Sequence, residues 1–240
     1  MFKKFLSVTL SLLLVVSLAA CAGGSAANHS SDGGNSSVSS DSGFRADFKS
    51  QIQNCTPIVD YAKNTSVDQM DTVTFGTDSH GEPIEWIVLE KEGYRALLLS
   101  KYLLVSYEYN NLNVDITWEE STCRKWLNSD FIKQIFSEKE QESIMISYVH
   151  NNDNTKFKTK GGNDTQDRIF LLSIREVNKY FNGSVKLIAN YKKGAKDSWW
   201  LRSPDVSQKC AAAVNKNGYP SGGGNVENSH GIRPAIWVIY

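Results

Sequence analysis

A short polar loop at 163–167 carries the residue types best suited to binding a metal ion. Asn163, Asp164 and Asp167 place amide and carboxylate oxygens at close spacing, and Ca²⁺ prefers a shell of hard oxygen ligands. The alternative is an Asx-turn leading into a strand at Ile169, because Asn and Asp side chains also bond to nearby backbone groups. The sequence leaves a calcium site and a plain turn open, and it requires no other metal or cofactor.

Tryptophan rings are the second candidate for ligand binding, since a flat ring suits a sugar or a peptide. Six occur in the chain, and most lie in periodic apolar segments, which favours positions in the core. The adjacent pair Trp199 and Trp200 is the exception, because successive side chains of a strand point to opposite faces. We expect one ring of this pair to be buried and the other to be exposed or covered by a loop. If a tryptophan binds a ligand, we expect it to be one of these two.

Histidines are the candidates for catalysis, and those after the N-terminal segments lie in predicted loops. His80, His230 and Glu85 could assemble a site, but nothing in their spacing requires it. The chain contains no Gly-x-Ser-x-Gly, P-loop or His-Glu-x-x-His motif. The sequence therefore identifies no catalytic residue, and an enzyme remains the alternative to a binding protein.

Two arginines stand among apolar neighbours, Arg202 in the segment 198–204 and Arg233 in the segment 231–237. Both segments are aromatic-rich and predicted as strands, and each contains a proline that limits the hydrogen-bonded ladder. A charge in such a place is costly to bury unless it is paired. We expect carboxylates or carbonyls to hold both arginines, which would lock the last third of the chain onto the middle.

The elements that must position these residues begin with three strands. Residues 71–76 alternate like a half-buried strand, 83–89 form a second, and 95–101 form a third that is too apolar at its centre to face water. A meander of three antiparallel strands is the simplest arrangement. Further strands are predicted at 168–172, 199–204, 210–214 and 232–239, with a glycine-rich loop at 222–224.

Helices are predicted where apolar spacing or capping boxes occur. Phe44, Phe48 and Ile52 indicate one amphipathic helix. Three Ser/Thr-x-x-Glu boxes indicate others, and they begin at Thr117, Ser137 and Ser173, with an interruption of the first helix at 128–130. The long polar stretch 150–167 is predicted to be a functional or mobile loop.

Several of these segments, in this order, resemble a widespread and uncharacterised bacterial domain of surface and secreted proteins. The resemblance covers about 71–240 and rests on TFG at 74–76, EWIVL at 85–89, LLLSKY at 97–102, TWEEST at 117–122, RKWLN at 124–128, GNDT at 162–165, FLLS at 170–173, WWLRSP at 199–204 and GIRPAIW at 231–237. The closing pattern is similar to C-type-lectin-like domains and to their relatives that generate formylglycine. The implied fold is α+β, a mixed and mostly antiparallel sheet with short helices and C-type-lectin-like topology.

The chain departs from both of these relatives. Cys210 stands alone where the formylglycine-generating oxidase needs a cysteine pair, and the Glu-Pro-Asn triplet of sugar-binding lectins is absent. Family likeness at this level does not fix function.

The N-terminus reads as a targeting segment, with Lys3 and Lys4 followed by an apolar run at 5–18. The run ends in Leu18-Ala19-Ala20-Cys21, which resembles the lipobox of bacterial lipoproteins and implies cleavage before Cys21 and lipid on its thiol. An ordinary secretory signal with a chance cysteine is the alternative. We therefore divide the chain into a signal peptide (1–20), a lipidated cysteine with a flexible Ser/Gly linker (21–43), an N-terminal extension (44–70) and the lectin-like domain (71–240).

Charge and cysteine content restrict the function further. Loss of 1–20 removes two lysines and no acid, which leaves 24 basic and 26 acidic side chains and argues against a nucleic-acid partner. Cys55, Cys123 and Cys210 cannot all pair, so one disulfide is possible. The favoured interpretation is that Cys123 and Cys210 are small buried apolar residues.

Together these observations predict a membrane-anchored lipoprotein on the extracytoplasmic side. We expect a non-catalytic domain that binds a glycan, a peptide or a cell-wall component through the loops 150–167 and 215–230. Its partners would be the membrane, through the lipid anchor, and a surface glycan or protein. The alternatives are an enzyme on a formylglycine-generating-enzyme-like scaffold and a structural or assembly protein of the surface.

Overall fold

The first three strands of the chain form a four-stranded antiparallel sheet with the last strand. The computed structural model describes residues 37–181 and 185–240. The strands of this sheet are β1 (Val73–Thr77), β2 (Pro83–Glu92), β3 (Arg95–Ser100) and the C-terminal β11 (Ala235–Ile239), in that spatial order. The predicted meander is confirmed, because β1 pairs with β2 and β2 with β3, all antiparallel. Its third strand is apolar at its centre because both faces are covered there, and Leu97, Leu98 and Leu99 are all buried.

A second sheet of five strands contains the aromatic segment 199–204. Its members are β4 (Val105–Glu108), β7 (Trp199–Pro204), β8 (Cys210–Val214), β9 (Pro220–Asn225) and β10 (Ser229–Ile232). The spatial order is β4-β10-β7-β8-β9, and only β7 and β10 run parallel. The fold is therefore α+β, with mostly antiparallel strands and short helices.

The predicted closing strand, 232–239, is divided between the two sheets. Arg233 and Pro234 separate β10 from β11, so one continuous apolar segment ends the five-stranded sheet and then enters the four-stranded one. Proline has no N–H to donate, which makes it a natural place for the ladder to break.

The glycine triplet 222–224 was predicted as a loop, which is wrong, because it lies within β9. The physical reason is close packing at Gly223. A Cβ atom there would stand 2.4 Å from Cζ3 of Trp200 and 2.5 Å from the carbonyl oxygen of Ala211. The missing side chain lets the strand lie against the indole ring.

Among the described residues, the 18-residue helix α1 (Ser37–Asn54) and four short helices flank the sheets: α2 (Thr122–Trp126), α3 (Ile132–Ile135), α4 (Glu138–Ser143) and α5 (Ile174–Phe181). The capping boxes at Ser137 and Ser173 are confirmed, since each serine backbone N–H bonds to the glutamate three residues on. The box predicted at Thr117 is wrong. That stretch is a turn, and α2 begins after Ser121, whose Oγ accepts the Arg124 N–H at 3.2 Å.

The predicted interruption at 128–130 is a π-helical turn over Leu127–Phe131 that joins α2 to α3. Asn128 lies in this turn, and its side-chain amide donates to the carbonyls of Arg124 at 3.0 Å and Ile169 at 2.8 Å. The wider turn thus lets one asparagine side chain tie the helix to the segment around Ile169.

The strand predicted at 168–172 is wrong, because the strand of this region is β6 (Thr165–Asp167) and it ends before Arg168. A two-stranded sheet pairs β5 (Ser147–Val149) with β6, and residues 169–172 after it are buried and make one bridge, Phe170 to Ala235. The polar stretch 150–164 is therefore the connection of this small hairpin.

Residues 44–70 belong to the same compact unit as the rest, Ser37–Tyr240. Phe48 of α1 stacks on Phe75 of β1 with ring centroids 4.6 Å apart. The predicted helix at 44–52 is confirmed, but it starts at Ser37, inside the predicted linker. The signal peptide, Cys21 and the linker up to residue 36 lie outside the described residues. In the part of the chain that is described, no helix has the length and apolar character needed to cross a bilayer.

The three cysteines of the described region are free thiols. Cys123 is buried, as expected of a small apolar residue, whereas Cys210 is half-buried. Burial raises the pKa of the Cys55 thiol to about 11, so it stays protonated at neutral pH.

Candidate functional site

A cleft of about 380 Å³ opens between three segments that are far apart in the sequence. One wall is the β1–β2 connection with the start of β2, residues 78–85. The floor is 102–104, which follows β3, and the other wall is the turn 191–194. Its size lies near the lower end of the range of about 300–1,000 Å³ that small-ligand sites occupy.

The β1–β2 wall is fixed by one aspartate. Asp78 Oδ1 accepts the backbone N–H groups of His80 at 2.8 Å and Glu82 at 3.0 Å, and Gly81 takes a positive φ of 78° to close the turn. The pKa of Asp78 lies below its usual value. Partial burial alone would raise it, but the two backbone N–H donors stabilise the carboxylate and outweigh that effect. The His80 side chain is 83% exposed and stands at the rim.

The floor of the cleft is apolar and held from beneath. Leu103 is buried, and its N–H donates to the carbonyl of Asn190 at 2.9 Å, which fixes the 191–194 turn beside it. Gly231 lies opposite, where a Cβ atom would come within 2.6 Å of Leu103 Cδ1. The glycine of the GIRPAIW segment therefore makes room for the leucine. Ile84 and Tyr102 complete the apolar surface.

Charged groups of both signs surround the mouth. Lys192 donates to the carbonyl of Pro83 at 3.3 Å and stands 3.9 Å from Glu82 Oε2, so it spans the two walls. Deeper in, Glu85 is paired with Lys101 at 2.9 Å. The pKa of Lys101 lies above its usual value. Burial alone would lower it, but the contact with the Glu85 carboxylate outweighs that effect.

Both tryptophans of the predicted ligand-binding pair are fully buried, so neither presents an exposed ring to a ligand. Trp199 Nε1 donates to the carbonyl of Leu187, and Trp200 Nε1 donates to that of Tyr107, each at 3.0 Å. The strand β7 lies inside its sheet and is covered on both faces. His230 packs on the Trp200 ring at 4.3 Å between centroids.

The polar side chains of the 163–167 loop are hydrogen-bonded to other residues of the protein. Asp167 is buried and accepts bonds from Arg124 Nε at 2.6 Å, Trp118 Nε1 at 3.0 Å and Thr165 Oγ1 at 2.7 Å. Both oxygens of this carboxylate are therefore occupied.

Asp164 and Asn163 have partners of their own. Asp164 accepts from the Asn151 N–H at 2.8 Å and contacts His150 Nδ1 at 2.9 Å, while Asn163 Nδ2 donates to Glu119 at 3.0 Å. Within 37–181 and 185–240, no group of three or more His, Cys, Asp or Glu side chains is placed to hold a metal ion. A calcium ion would have to compete with these bonds.

The expectation for Arg202 is confirmed. It pairs with Glu176 through both guanidinium ends, with Nη2 3.1 Å from Oε1, and it donates to the carbonyls of Leu171 at 2.7 Å and His150 at 3.0 Å. A carboxylate and two carbonyls thus hold the buried charge.

Arg233 is held by far less. Its Nε donates to the Ser100 carbonyl at 3.0 Å, but Nη1 and Nη2 have no hydrogen-bond partner among the described residues. The guanidinium lies 5.1 Å from the Trp199 ring centroid and 5.9 Å from that of Phe181. Burial lowers the pKa of Arg233 to about 9.

The histidines are dispersed. His80 and Glu85 line the cleft together, but His230 is committed elsewhere, with Nε2 2.6 Å from the carbonyl oxygen of Gly223. The residues that the sequence did not single out are Tyr102, Tyr191 and Lys192. Tyr191 and Lys192 lie in no motif or periodic segment, and Tyr102 ends the LLLSKY segment, which indicated a strand and not a site. The one signal for the cleft in the sequence was the polar Asp78 loop between two predicted strands.

Comparison with protein families identifies residues 94–239, more than half of the chain, as a "Domain of unknown function (DUF6273)". No curated protein and no solved structure matches the chain. The match contains the 102–104 floor and the 191–194 wall of the cleft, whereas the 78–85 wall precedes it. The chain belongs to the DUF6273 family of domains of unknown function.

Proposed function

We propose that this protein is a non-catalytic binding module and that it holds a glycan, a peptide or another cell-wall component in the cleft. The observation that carries the proposal is the cleft itself, with an apolar floor around Leu103 and Ile84 and charged side chains at its mouth. Small-ligand sites combine an apolar lining with a few convergent polar groups in this way.

Binding without catalysis is favoured by how the titratable groups are used. Glu85 is committed to Lys101, and His80 Nδ1 stands 3.9 Å from Asp78 Oδ1, beyond hydrogen-bond reach of a carboxylate that could orient it. The alternative, an enzyme, would need His80 to gain such a partner when substrate binds.

The test is a matched pair of blocking variants. Ser79→Trp places an indole in the mouth of the cleft at an exposed position, and Ser229→Trp places one at an exposed position on β10 outside it. We expect saturation-transfer NMR to detect binding of soluble peptidoglycan fragments to the full chain and to S229W, but not to S79W. Equal signals for both variants would place binding elsewhere, and no signal from any fragment would contradict the proposal.

We further propose that the domain is tethered to the extracytoplasmic face of the membrane through lipid on Cys21. The support is the order of charge, apolar run, small residues and cysteine in 1–21. Cys21→Ser should abolish incorporation of labelled palmitate and release the protein from the membrane fraction of expressing cells. Retention of both label and membrane association in C21S would contradict the anchor.

We also propose that the strands are connected in a C-type-lectin-like topology. Its support is that the tryptophan-rich strand β7, the hairpin β8–β9 and the Gly-x-Arg segment around β10 lie together in one sheet. An experimental structure that superimposes on lectin-like domains with matching strand order would bear it out, and a different strand order would contradict it.

A further inference from the structure

The charged groups around the cleft are nearly balanced, which restricts the class of ligand. Asp78, Glu82 and Glu85 line the cleft from one side, and Lys192 and Lys193 from the other. Since Glu85 is already neutralised by Lys101, the remaining groups are two acids and two lysines. A balanced mouth favours neither a polyanion nor a polycation.

The two signs also lie on opposite walls. Glu82 belongs to the β1–β2 wall, and Lys192 belongs to the 191–194 turn that faces it. A ligand that enters the cleft therefore meets a carboxylate on one side and an ammonium on the other.

The contact between these walls is weak. Lys192 Nζ and Glu82 Oε2 are 3.9 Å apart, and their side chains are 35% and 54% exposed. Exposed ion pairs at such separations contribute little and exchange partners readily. Both groups are thus available to a ligand that brings charges of its own.

We propose that the cleft recognises the amino and carboxyl ends of a short, unblocked peptide with an apolar side chain. The ligand ammonium bonds to Glu82 and the ligand carboxylate to Lys192, and the two exposed side chains give up their weak contact and separate to reach the two ends of the peptide. The apolar side chain rests on Leu103 and Leu104 between the rings of Tyr102 and Tyr191. This inference rests on the proposed function and deepens it, because it selects a peptide among the candidate ligands.

The choice of a peptide over a neutral glycan follows from the same surface. A neutral sugar would bring no charge of its own to Glu82 or Lys192 and would cover the aliphatic floor with hydroxyl groups. A cleft of about 380 Å³ also suits a short peptide better than a folded segment.

The test uses the full chain and three probes: the free tripeptide alanyl-leucyl-alanine, the same peptide acetylated and amidated, and the trisaccharide of N-acetylglucosamine. We expect calorimetry to detect binding of the free tripeptide and a loss of affinity of about fivefold or more for the blocked form. Glu82→Gln and Lys192→Met should each lower the affinity for the free tripeptide by a similar factor. Glu227→Gln and Lys216→Met, exposed and outside the cleft, should leave it unchanged.

Three results would overturn the inference in distinguishable ways. Equal affinity for the free and blocked peptides would exclude recognition of the charged ends. Binding of the trisaccharide alone, sensitive to S79W, would keep the cleft as the binding site but make its ligand a glycan. If none of the probes binds, the peptide inference fails, and the peptidoglycan-fragment experiment decides the proposed function separately.

Discussion

Arg202 and Glu176 form a two-pronged ion pair between β7 and α5, and the same carboxylate caps the helix. Glu176 Oε2 accepts the Ser173 N–H at 2.7 Å and its hydroxyl at 2.9 Å. One glutamate side chain therefore starts α5 and neutralises a buried arginine in the neighbouring strand. Arg233 has no such partner among the described residues.

This difference predicts unequal responses to the same substitution. Arg202→Met leaves Glu176 and two carbonyls without their donor, so we expect a loss of about 3 kcal/mol in the free energy of unfolding. Arg233→Met removes a poorly compensated buried charge and keeps an apolar stem against Trp199. We expect it to cost less than about 1 kcal/mol or to stabilise the fold.

Urea unfolding of the two arginine variants measures the difference. Equal losses would show that Arg233 is compensated as well as Arg202.

Close packing at Gly223 gives a second prediction. Because an added Cβ would stand 2.4 Å from the Trp200 ring and 2.5 Å from the Ala211 carbonyl oxygen, Gly223→Ala should destabilise the protein by about 2–3 kcal/mol. The control is Gly43→Ala in α1, where nothing lies within 4 Å and alanine is the better helix former. The Tm should fall for Gly223→Ala and rise slightly for Gly43→Ala. An unchanged Tm for G223A would mean that β9 does not lie on Trp200.

The buried Asp205 predicts a pH dependence. Burial raises the pKa of this carboxyl, so ionisation costs stability in the folded state. The cost is absent below the unfolded pKa and complete above the raised folded pKa. Asp205→Asn should therefore stabilise the protein at pH 7, and the gain should shrink as the pH falls towards about 3.

The midpoints of urea unfolding at pH 7 and at about pH 3 test this prediction. Asp115→Asn, at an exposed position, is the control. A D205N variant that is less stable at pH 7 than the parent would contradict the sign.

Calcium is the fourth test, because the 163–167 loop remains the sequence's candidate metal site. The carboxylates of Asp164 and Asp167 already accept protein donors, so we expect no rise in Tm of the full chain with calcium at millimolar concentration. Magnesium serves as the ionic-strength control. A rise specific to calcium would show that these bonds yield to the ion.

Sequence patterns predicted elements whose signal is local. The β1–β2–β3 meander followed from alternation and from the apolar run at 97–99, and α4 and α5 followed from serines whose glutamates lie three residues on. The Thr117 box failed although its residues were right, because Ser121, buried and bonded to the Trp118 carbonyl, became the cap instead.

Tertiary packing decided what local signals could not. Gly223 is a strand residue because Trp200 lies over it, and Trp200 is buried because His230 and β9 cover it. The cleft was not predicted because 78–85, 102–104 and 191–194 share no motif. They meet only through contacts such as the bond from the Leu103 N–H to Asn190.

The most direct test of the binding cleft is an NMR titration of isotope-labelled full chain with soluble peptidoglycan fragments. If the cleft is the binding site, the signals that move first will be those of Leu103, Leu104, Tyr102 and Tyr191, with the 163–167 loop unaffected. Shifts confined to 150–167 or 215–230 would place the ligand on those loops and contradict binding in the cleft.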